Sequence, residues 1–335
     1  MHQNRKILYR KILYKVESGS QLYGTTTPES DVDYTSVFMP TAYDLFSLQK
    51  YDYKDNSTKS SSEDRRNTAD DIDDQQHSLQ RYVHLVLQGN PNLLEILYCK
   101  NPVIEDPVFT PLKENTDKLI SRKVYDSFTG FAISQRKKLE YKSKRFNQLK
   151  AAIEYLHSNY SGSIQSPNAN INDDLAEWLN KNLTEYKGDK MNRQSFHTGL
   201  PAKVIYEKIK SEYENYGWRV KTSTFTTLGY DVKFGAHAVR LFYEGIQLLT
   251  KGYLEFPIAG QAYEDIMAIR RGEVGINEFY EICGRYEEEN RKAYASTNLP
   301  DAPDFKWANK YLVDTLENYI VTTSTITFPI GGVRV

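Results

Sequence analysis

The feature that most constrains the fold is a pair of aspartates, Asp31 and Asp33, within the run from Gly19 to Pro40. Polar and apolar residues alternate after Asp31, which predicts a β-strand over residues 31–38 that ends at Pro40. Residues two apart on a strand face the same side of the sheet, so both carboxylates share one face. Like charges this close repel unless a cation lies between them. Oxygen ligands of this kind favour Mg²⁺ or Mn²⁺.

The residues upstream of this pair predict a phosphate-binding turn. Residues 12–16 are typical of a short strand, and it leads into Ser18, Gly19 and Ser20. Gly19 lets a ligand approach the backbone closely, and Ser20 offers a hydroxyl and an N–H at the predicted start of a helix. A triphosphate and metal ions held between carboxylates are the equipment of phosphoryl or nucleotidyl transfer.

Such a site needs a third carboxylate, and an acidic cluster further along the chain can supply it from a neighbouring strand. We favour Asp73, because it lies between Ile72 and a helix that Ser78 is expected to cap. For any single member, a solvated surface loop is an equally good interpretation. The cluster consists of Asp70, Asp71, Asp73 and Asp74.

The pattern changes from mixed to helical near residue 115. We therefore expect a mixed α/β domain over residues 1–115 and a mostly helical domain over residues 116–335, since a chain of 335 residues suits two domains. The polar stretch 158–174 predicts a loop. Helices are expected over residues 125–156, 203–216, 230–249 and 276–295.

Composition excludes several classes of protein. No apolar run approaches the ~18–20 residues that span a bilayer, and the first fifteen residues lack the core of a signal peptide, so membrane and secretory interpretations are excluded. Cys99 and Cys283 are isolated, which argues against a disulfide framework or a cysteine-based zinc site and favours a cytoplasmic location. The net charge of −1 means that any contact with nucleic acid must come from a local patch.

Two helical segments carry candidate binding residues. Lys233, His237 and Arg240 fall on one helix face and can form a cationic wall for a triphosphate or nucleic-acid phosphates; an ordinary polar face is the alternative. Residues 134–150 hold seven basic residues against one acidic residue, with Tyr141 and Phe146 among them, which is typical of a nucleic-acid contact. A solvated helix face is the alternative. The basic residues are Arg136, Lys137, Lys138, Lys142, Lys144, Arg145 and Lys150.

The combined motifs resemble the nucleotidyltransferases of the DNA polymerase β superfamily. More narrowly, they are similar to a predicted nucleotidyltransferase family associated with RNA repair that has phage-encoded members. The chain departs from that pattern at Thr35-Ser36, where a basic residue and Gly are expected, and at His77, where Tyr is expected. The motifs are Gly19-Ser20-x-x-Tyr23-Gly24, Ser30-Asp31-x-Asp33, Val37-Phe38 with Pro40, Ser78-Leu79, Gly89-Asn90-Pro91-Asn92 with Leu94-Glu95, His237-x-x-Arg240-Leu241, Ile269-Arg270-x-Gly272-Glu273 and Leu299-Pro300-x-x-Pro303-Asp304.

The resemblance implies an α+β fold, in which a polymerase-β-like domain with a small mixed sheet precedes a mostly α-helical domain. It also implies an enzyme that transfers an NMP from an NTP to an acceptor hydroxyl, with Mg²⁺ or Mn²⁺ as cofactor and an RNA, tRNA or other polynucleotide end as acceptor. Asp31, Asp33 and Asp73 would be the catalytic and metal-binding residues. The nucleotide would be held by Gly19, Ser20, Tyr23, Lys233, His237 and Arg240.

Two other functions stay open at this point. The same chemistry can modify a protein or a small molecule, in which case the basic helix at 134–150 has no role in the acceptor's binding. A non-catalytic nucleotide-binding protein can also keep the fold, although the intact pair Asp31 and Asp33 argues against it.

Overall fold

The computed structural model describes residues 10–28, 30–48, 51–56, 72–187, 190–193, 195–220, 228 and 230–324. Within these ranges the chain begins with a mixed sheet and continues mostly as helices. The predicted fold class is therefore confirmed. No helix in the described part of the chain combines the length and the apolar character that crossing a bilayer requires.

Among the described residues, seven strands form two sheets. The larger sheet has five strands in the order β3-β4-β2-β1-β5, and the smaller one pairs β6 with β7. In the larger sheet β2 and β4 run parallel, whereas every other neighbouring pair is antiparallel. The strands are β1 (Ile12–Ser18), β2 (Val32–Phe38), β3 (Tyr53–Asp55), β4 (Ile72–Ser78), β5 (Ile104–Glu105), β6 (Thr184–Lys187) and β7 (Lys190–Arg193).

The helices of the first part are short and those of the second part are long. A 3₁₀ turn, Glu95–Tyr98, and a π turn, Tyr125–Thr129, lie between them. The helices are α1 (Ser20–Tyr23), α2 (Ala42–Phe46), α3 (Leu79–Leu87), α4 (Pro91–Leu94), α5 (Thr110–Glu114), α6 (Thr116–Leu119), α7 (Gly130–Gln165), α8 (Asp173–Asn182), α9 (Ala202–Val220), α10 (Val232–Lys251), α11 (Gln261–Arg271), α12 (Ile276–Ser296) and α13 (Phe305–Ser324).

Two compact units divide the chain. The first comprises residues 1–131, 241–264 and 286–335, and the second comprises residues 132–240 and 265–285. This division follows packing, and the chain returns to the first unit twice. The predicted domain boundary near residue 115 was based on the change of pattern along the sequence, and it stays a prediction.

Aromatic side chains form the core beneath the five-stranded sheet of the first unit. The ring of Tyr14 on β1 stacks on Phe109 with centroids 4.1 Å apart, and Tyr82 of α3 packs against the same Phe109 ring. All three are fully buried. β4 leads directly into α3, and the Ser78 side chain caps the first turn of α3 by accepting a hydrogen bond from the backbone N–H of Arg81. The packing of Tyr82 in the core therefore also fixes the direction of β4.

The second unit has a separate core of apolar residues from α7, α8 and α9. Leu149, Leu156, Leu175 and Leu179 are fully buried there. Helix α7 is kinked at Tyr160 and continues to Gln165, so the prediction that residues 158–174 form a loop is wrong for its first half. The sequence around Ile164 is polar, which indicated a loop, but the Ile164 side chain packs into this core, and this contact explains why the helix continues.

His77 is a buried histidine within the sheet of the first unit. Its ring contacts Tyr53 of β3, and neither ring nitrogen has a hydrogen-bond partner among the described residues. Burial, together with the positive charge of Arg81, lowers the pKa of His77 to about 4. The ring is therefore neutral at pH 7, and it occupies the position where Tyr was expected.

This burial predicts a pH-dependent stability. We expect the wild type to lose stability relative to His77→Phe as the pH falls from 6.5 to about 4, because over this range the unfolded chain binds a proton at His77 and the folded protein does not. Over this pH range the free energy of unfolding of the wild type falls by about 3 kcal/mol relative to that of His77→Phe. Urea unfolding of both proteins at intervals between pH 7.5 and 4 measures it. If the free energies of unfolding of the two proteins change in parallel with pH, the result contradicts a lowered pKa of His77.

Candidate metal centre

The central strand of the sheet brings the three predicted carboxylates together. Asp33 of β2 is the parallel ladder partner of Asp73 on β4, and Asp31 lies two residues before Asp33, directly before the first residue of that strand. One carboxylate oxygen from each of the three lies within 4.8 Å of the other two, and all three side chains are partly exposed. Asp31, Asp33 and Asp73 are hereafter called the carboxylate triad.

The other members of the acidic cluster do not join the triad. Asp74 faces the opposite side of the sheet because it is adjacent to Asp73 on β4. Its carboxylate accepts hydrogen bonds from the Ser36 hydroxyl at 2.9 Å and from the Gln76 amide at 3.0 Å, and it pairs with Lys15 at 3.3 Å. Asp74 is thus a buried structural anion. The two remaining candidates, Asp70 and Asp71, lie outside the described residues.

The donor set fits a hard divalent cation. Three carboxylate oxygens at this separation can bind a metal ion, and oxygen ligands are those that Mg²⁺ and Mn²⁺ prefer. Such an ion also offsets the mutual repulsion of three anions, which the sheet register holds close together. We therefore expect metal binding to stabilise the strand ends.

Gly19 is shaped by its contact with Asp33. Its φ is +63°, in the region that favours glycine, and an added Cβ would lie 2.5 Å from Asp33 Oδ2. The carboxylate therefore rests against the backbone of the turn between β1 and α1. Next to it, Ser18 is the ladder partner of Asp33, and the Thr35 hydroxyl donates to Ser18 Oγ at 3.1 Å.

The predicted residues Ser20 and Tyr23 both lie in α1, and Ser20 begins that helix as expected. The Tyr23 hydroxyl donates to Glu95 Oε1 at 2.6 Å, and its ring packs against Phe256. Tyr23 and Glu95 are both buried. In this position Tyr23 holds the turn in place, and contact of Ser20 or Tyr23 with a nucleotide stays a prediction.

A distant segment of the first unit also fixes this turn. The backbone N–H of Ile258 donates to the Tyr23 carbonyl at 3.0 Å, and Gly24, whose φ is +72°, leaves room for Pro257. No local sequence signal indicates residues 256–258, which lie far from the turn along the chain, whereas Glu95 belongs to one of the motifs that carry the family resemblance. Ser18 can be found from the sequence, because it lies directly before Gly19.

The predicted cationic wall belongs to the second unit. Lys233 is exposed, whereas Arg240 is buried and donates from Nη2 to His237 Nδ1 at 3.1 Å. Burial and the charges of Arg240 and Lys233 lower the pKa of His237 to about 3, so its ring is neutral at pH 7. Nucleotide binding by these three residues stays a prediction.

The basic helix at 134–150 lies within α7. Lys137, Lys144 and Lys150 are exposed there. Arg145 is not part of an exposed patch, because it is buried and donates to both carboxylate oxygens of Glu212 at 2.8 and 2.7 Å. The side chains of Lys138 and Lys142 lie outside the described part of the chain.

Residues 1–158 match the sequence model of the RNA repair pathway DNA polymerase beta family, RlaP. Together with the mixed sheet and its three clustered carboxylates, this match identifies a nucleotidyltransferase-like protein of the DNA polymerase β superfamily. The resemblance found in the motifs is thereby confirmed.

Two further proteins are similar to the chain. An uncharacterised 38.9 kDa protein of the nrdC-mobD intergenic region of Enterobacteria phage T4 is 24% identical over 276 residues, which cover 74% of this chain and 80% of that protein. A crystal structure of a nucleotidyltransferase-like protein from Exiguobacterium sibiricum 255-15 aligns with 8% identity and a TM-score of 0.25, covering 96% of this chain and 84% of that chain.

The contact between Gly19 and Asp33 can be tested directly. We expect Gly19→Ala to weaken Mn²⁺ binding at least tenfold, because the new methyl group displaces the Asp33 carboxylate. Isothermal titration with Mn²⁺ measures the affinity. Gly260→Ala is the matched control, since Gly260 also has a positive φ of +68° but an added Cβ there meets nothing within 4 Å. Equal Mn²⁺ affinity in the two variants would contradict the expected contact.

Proposed function

We propose that the protein is a Mg²⁺- or Mn²⁺-dependent nucleotidyltransferase that moves an NMP from an NTP, ATP included, to an acceptor hydroxyl. The carboxylate triad is the observation that carries this proposal, because three oxygen ligands within 4.8 Å of one another suit catalysis by divalent cations. The match of residues 1–158 to a polymerase-β family supports the same chemistry.

In the proposed reaction the acceptor oxygen forms a bond to the α-phosphorus as its proton passes to a carboxylate of the triad, and the bond from that phosphorus to the bridging oxygen breaks to release pyrophosphate. Bound divalent cations supply neutralisation of the charge on the α-phosphate and on the leaving group. Asp31 and Asp33 hold these ions, and Asp73 completes the ligand set on the neighbouring strand. Gly19 and Ser20 present backbone N–H groups to the triphosphate.

A polynucleotide end, either RNA or tRNA, is the acceptor that we favour. The association of the matching family with RNA repair and the exposed lysines of α7 support this choice. A protein or small-molecule acceptor is the competing candidate, and intact triad carboxylates argue against a protein that only binds nucleotides. We expect the reaction to take place in the cytoplasm, that of the host if a phage encodes the protein.

Label transfer tests the reaction. Each α-labelled NTP is incubated with Mg²⁺ or Mn²⁺ and with separate RNA, DNA and protein fractions. We expect Asp33→Asn to lower transfer by at least ~100-fold while the fold is retained, because the triad loses its central ligand. Glu17→Gln is the control, since it removes an exposed carboxylate from the opposite face of the sheet. Unchanged transfer in Asp33→Asn would overturn the proposed function.

The acceptor class is tested through α7. We expect Lys137→Gln/Lys144→Gln/Lys150→Gln to weaken RNA binding and to flatten its salt dependence, by about 0.7 in the log–log slope for each phosphate that the variant no longer neutralises. Fluorescence anisotropy from 50 to 300 mM KCl measures both effects.

The matched control removes the same charge from another helix of the same unit. It is Lys203→Gln/Lys208→Gln/Lys210→Gln on α9, whose three side chains are all exposed. If both triple variants bind RNA equally, the basic segment of α7 is a solvated face, and a protein or small-molecule acceptor is favoured.

A further inference from the structure

Exposed apolar side chains concentrate in one stretch of the chain, which runs from α2 to β3, an edge strand of the five-stranded sheet. Elsewhere in the described residues the large exposed hydrophobic side chains are scattered or adjacent in pairs, but five fall within residues 43–53, in α2, in β3 and between them. An exposed apolar surface of this kind often marks a site where a protein binds a partner or a ligand. We call it the aromatic edge, and it consists of Tyr43, Phe46, Leu48, Tyr51 and Tyr53.

Arginine side chains lie over two of these rings. The guanidinium of Arg10 is 5.3 Å from the centre of the Tyr51 ring, and that of Arg81 is 5.4 Å from the centre of the Tyr53 ring. Arg10 also donates to both carboxylate oxygens of Asp44 in α2, which connects Tyr51 to the helix that carries Tyr43 and Phe46. A partly buried ion pair therefore ties Tyr51 to α2 within the aromatic edge.

The chemistry of this surface suits nucleobases. Four of its five members are aromatic, and aromatic rings stack on any base whatever its sequence. The Arg81 guanidinium over Tyr53 offers a positive charge to a neighbouring phosphate, whereas that of Arg10 is paired with Asp44. Tyrosine and arginine are also enriched at interfaces between proteins, so the choice of a polynucleotide as the occupant depends on the distance from this surface to the carboxylate triad.

The sheet connects the aromatic edge to the carboxylate triad. Asp73, Gln75 and His77 alternate along β4 and so share one face, and Tyr53 is the ladder partner of His77 and contacts its ring. Tyr53 is thus four residues along β4 from the triad, or about 13 Å at ~3.3 Å per residue. That span equals about four nucleotides at the ~3.4 Å rise of a stacked strand. Gln75, which lies between them, is exposed.

We propose that the aromatic edge binds the single-stranded segment of a polynucleotide acceptor, a few nucleotides from the end that reacts at the triad. This inference rests on the proposed function, because it takes the acceptor to be a polynucleotide. It adds a surface in the first unit to the predicted contact through the lysines of α7. Stacking supplies most of this binding, so it persists at salt concentrations that weaken contacts with phosphates alone.

The test is binding of a fluorescent single-stranded RNA of ~12 nucleotides, which is within the site size of such surfaces. We expect Tyr51→Ala/Tyr53→Ala to bind it at least about tenfold more weakly than the wild type at 200 mM KCl. Tyr53→Phe, which keeps the ring, binds like the wild type. Tyr253→Ala is the matched control, because this tyrosine of the first unit is 45% exposed against 41% for Tyr53. Thermal melting confirms that each variant is folded.

Binding and transfer are measured separately, so that the two proposals fail in distinguishable ways. RNA binding that depends on Tyr51 and Tyr53, without label transfer by the wild type, supports the aromatic edge and counts against the proposed function. Equal affinity in the double variant, the control and the wild type overturns the inference, and so does a wild type that binds no RNA. A dimer of the wild type that the double variant loses also overturns it, because the surface is then an interface between copies.

Discussion

The parallel pairing of β2 with β4 is the contact on which the candidate site depends. It places Asp33 beside Asp73, and these two carboxylates come from parts of the chain that are forty residues apart. A shift of one residue in this register would turn Asp73 to the other face and bring Asp74 into its place. The shift is resisted because Asp74 is already held by Lys15, Ser36 and Gln76 on that other face. A buried structural anion thus secures the position of a candidate metal ligand.

The turn at Gly19 depends on the rest of the first unit in a similar way. Glycine is required there for two reasons, because its φ is positive and because the Asp33 carboxylate occupies the space of a side chain. The helix that follows is only four residues long and cannot hold this geometry alone. Tyr23 anchors it through the buried Glu95, and the backbone N–H of Ile258 bonds to the Tyr23 carbonyl. The site is therefore preorganised by contacts that lie outside its own motif.

Much of the fold and the site could be predicted from sequence because the signals are local. Alternation indicated β2, the capping residue Ser78 indicated α3, and the i, i+2 spacing placed Asp31 and Asp33 on one face. The errors arose where packing overrides local pattern. Arg145 sits among lysines in the sequence yet is buried against Glu212, which no spacing along the chain reveals.

By itself, the sequence determined which residue types can bind metal and phosphate and which segments can be strands, since these depend on side-chain chemistry and on neighbours a few positions away. Only the tertiary structure decided that Asp73, and not Asp74, joins the triad, because the choice depends on the register between two strands. It also decided that His77 and His237 are neutral at pH 7, since burial by distant residues sets the pKa of each ring. Long-range packing carries that information, and no local pattern contains it.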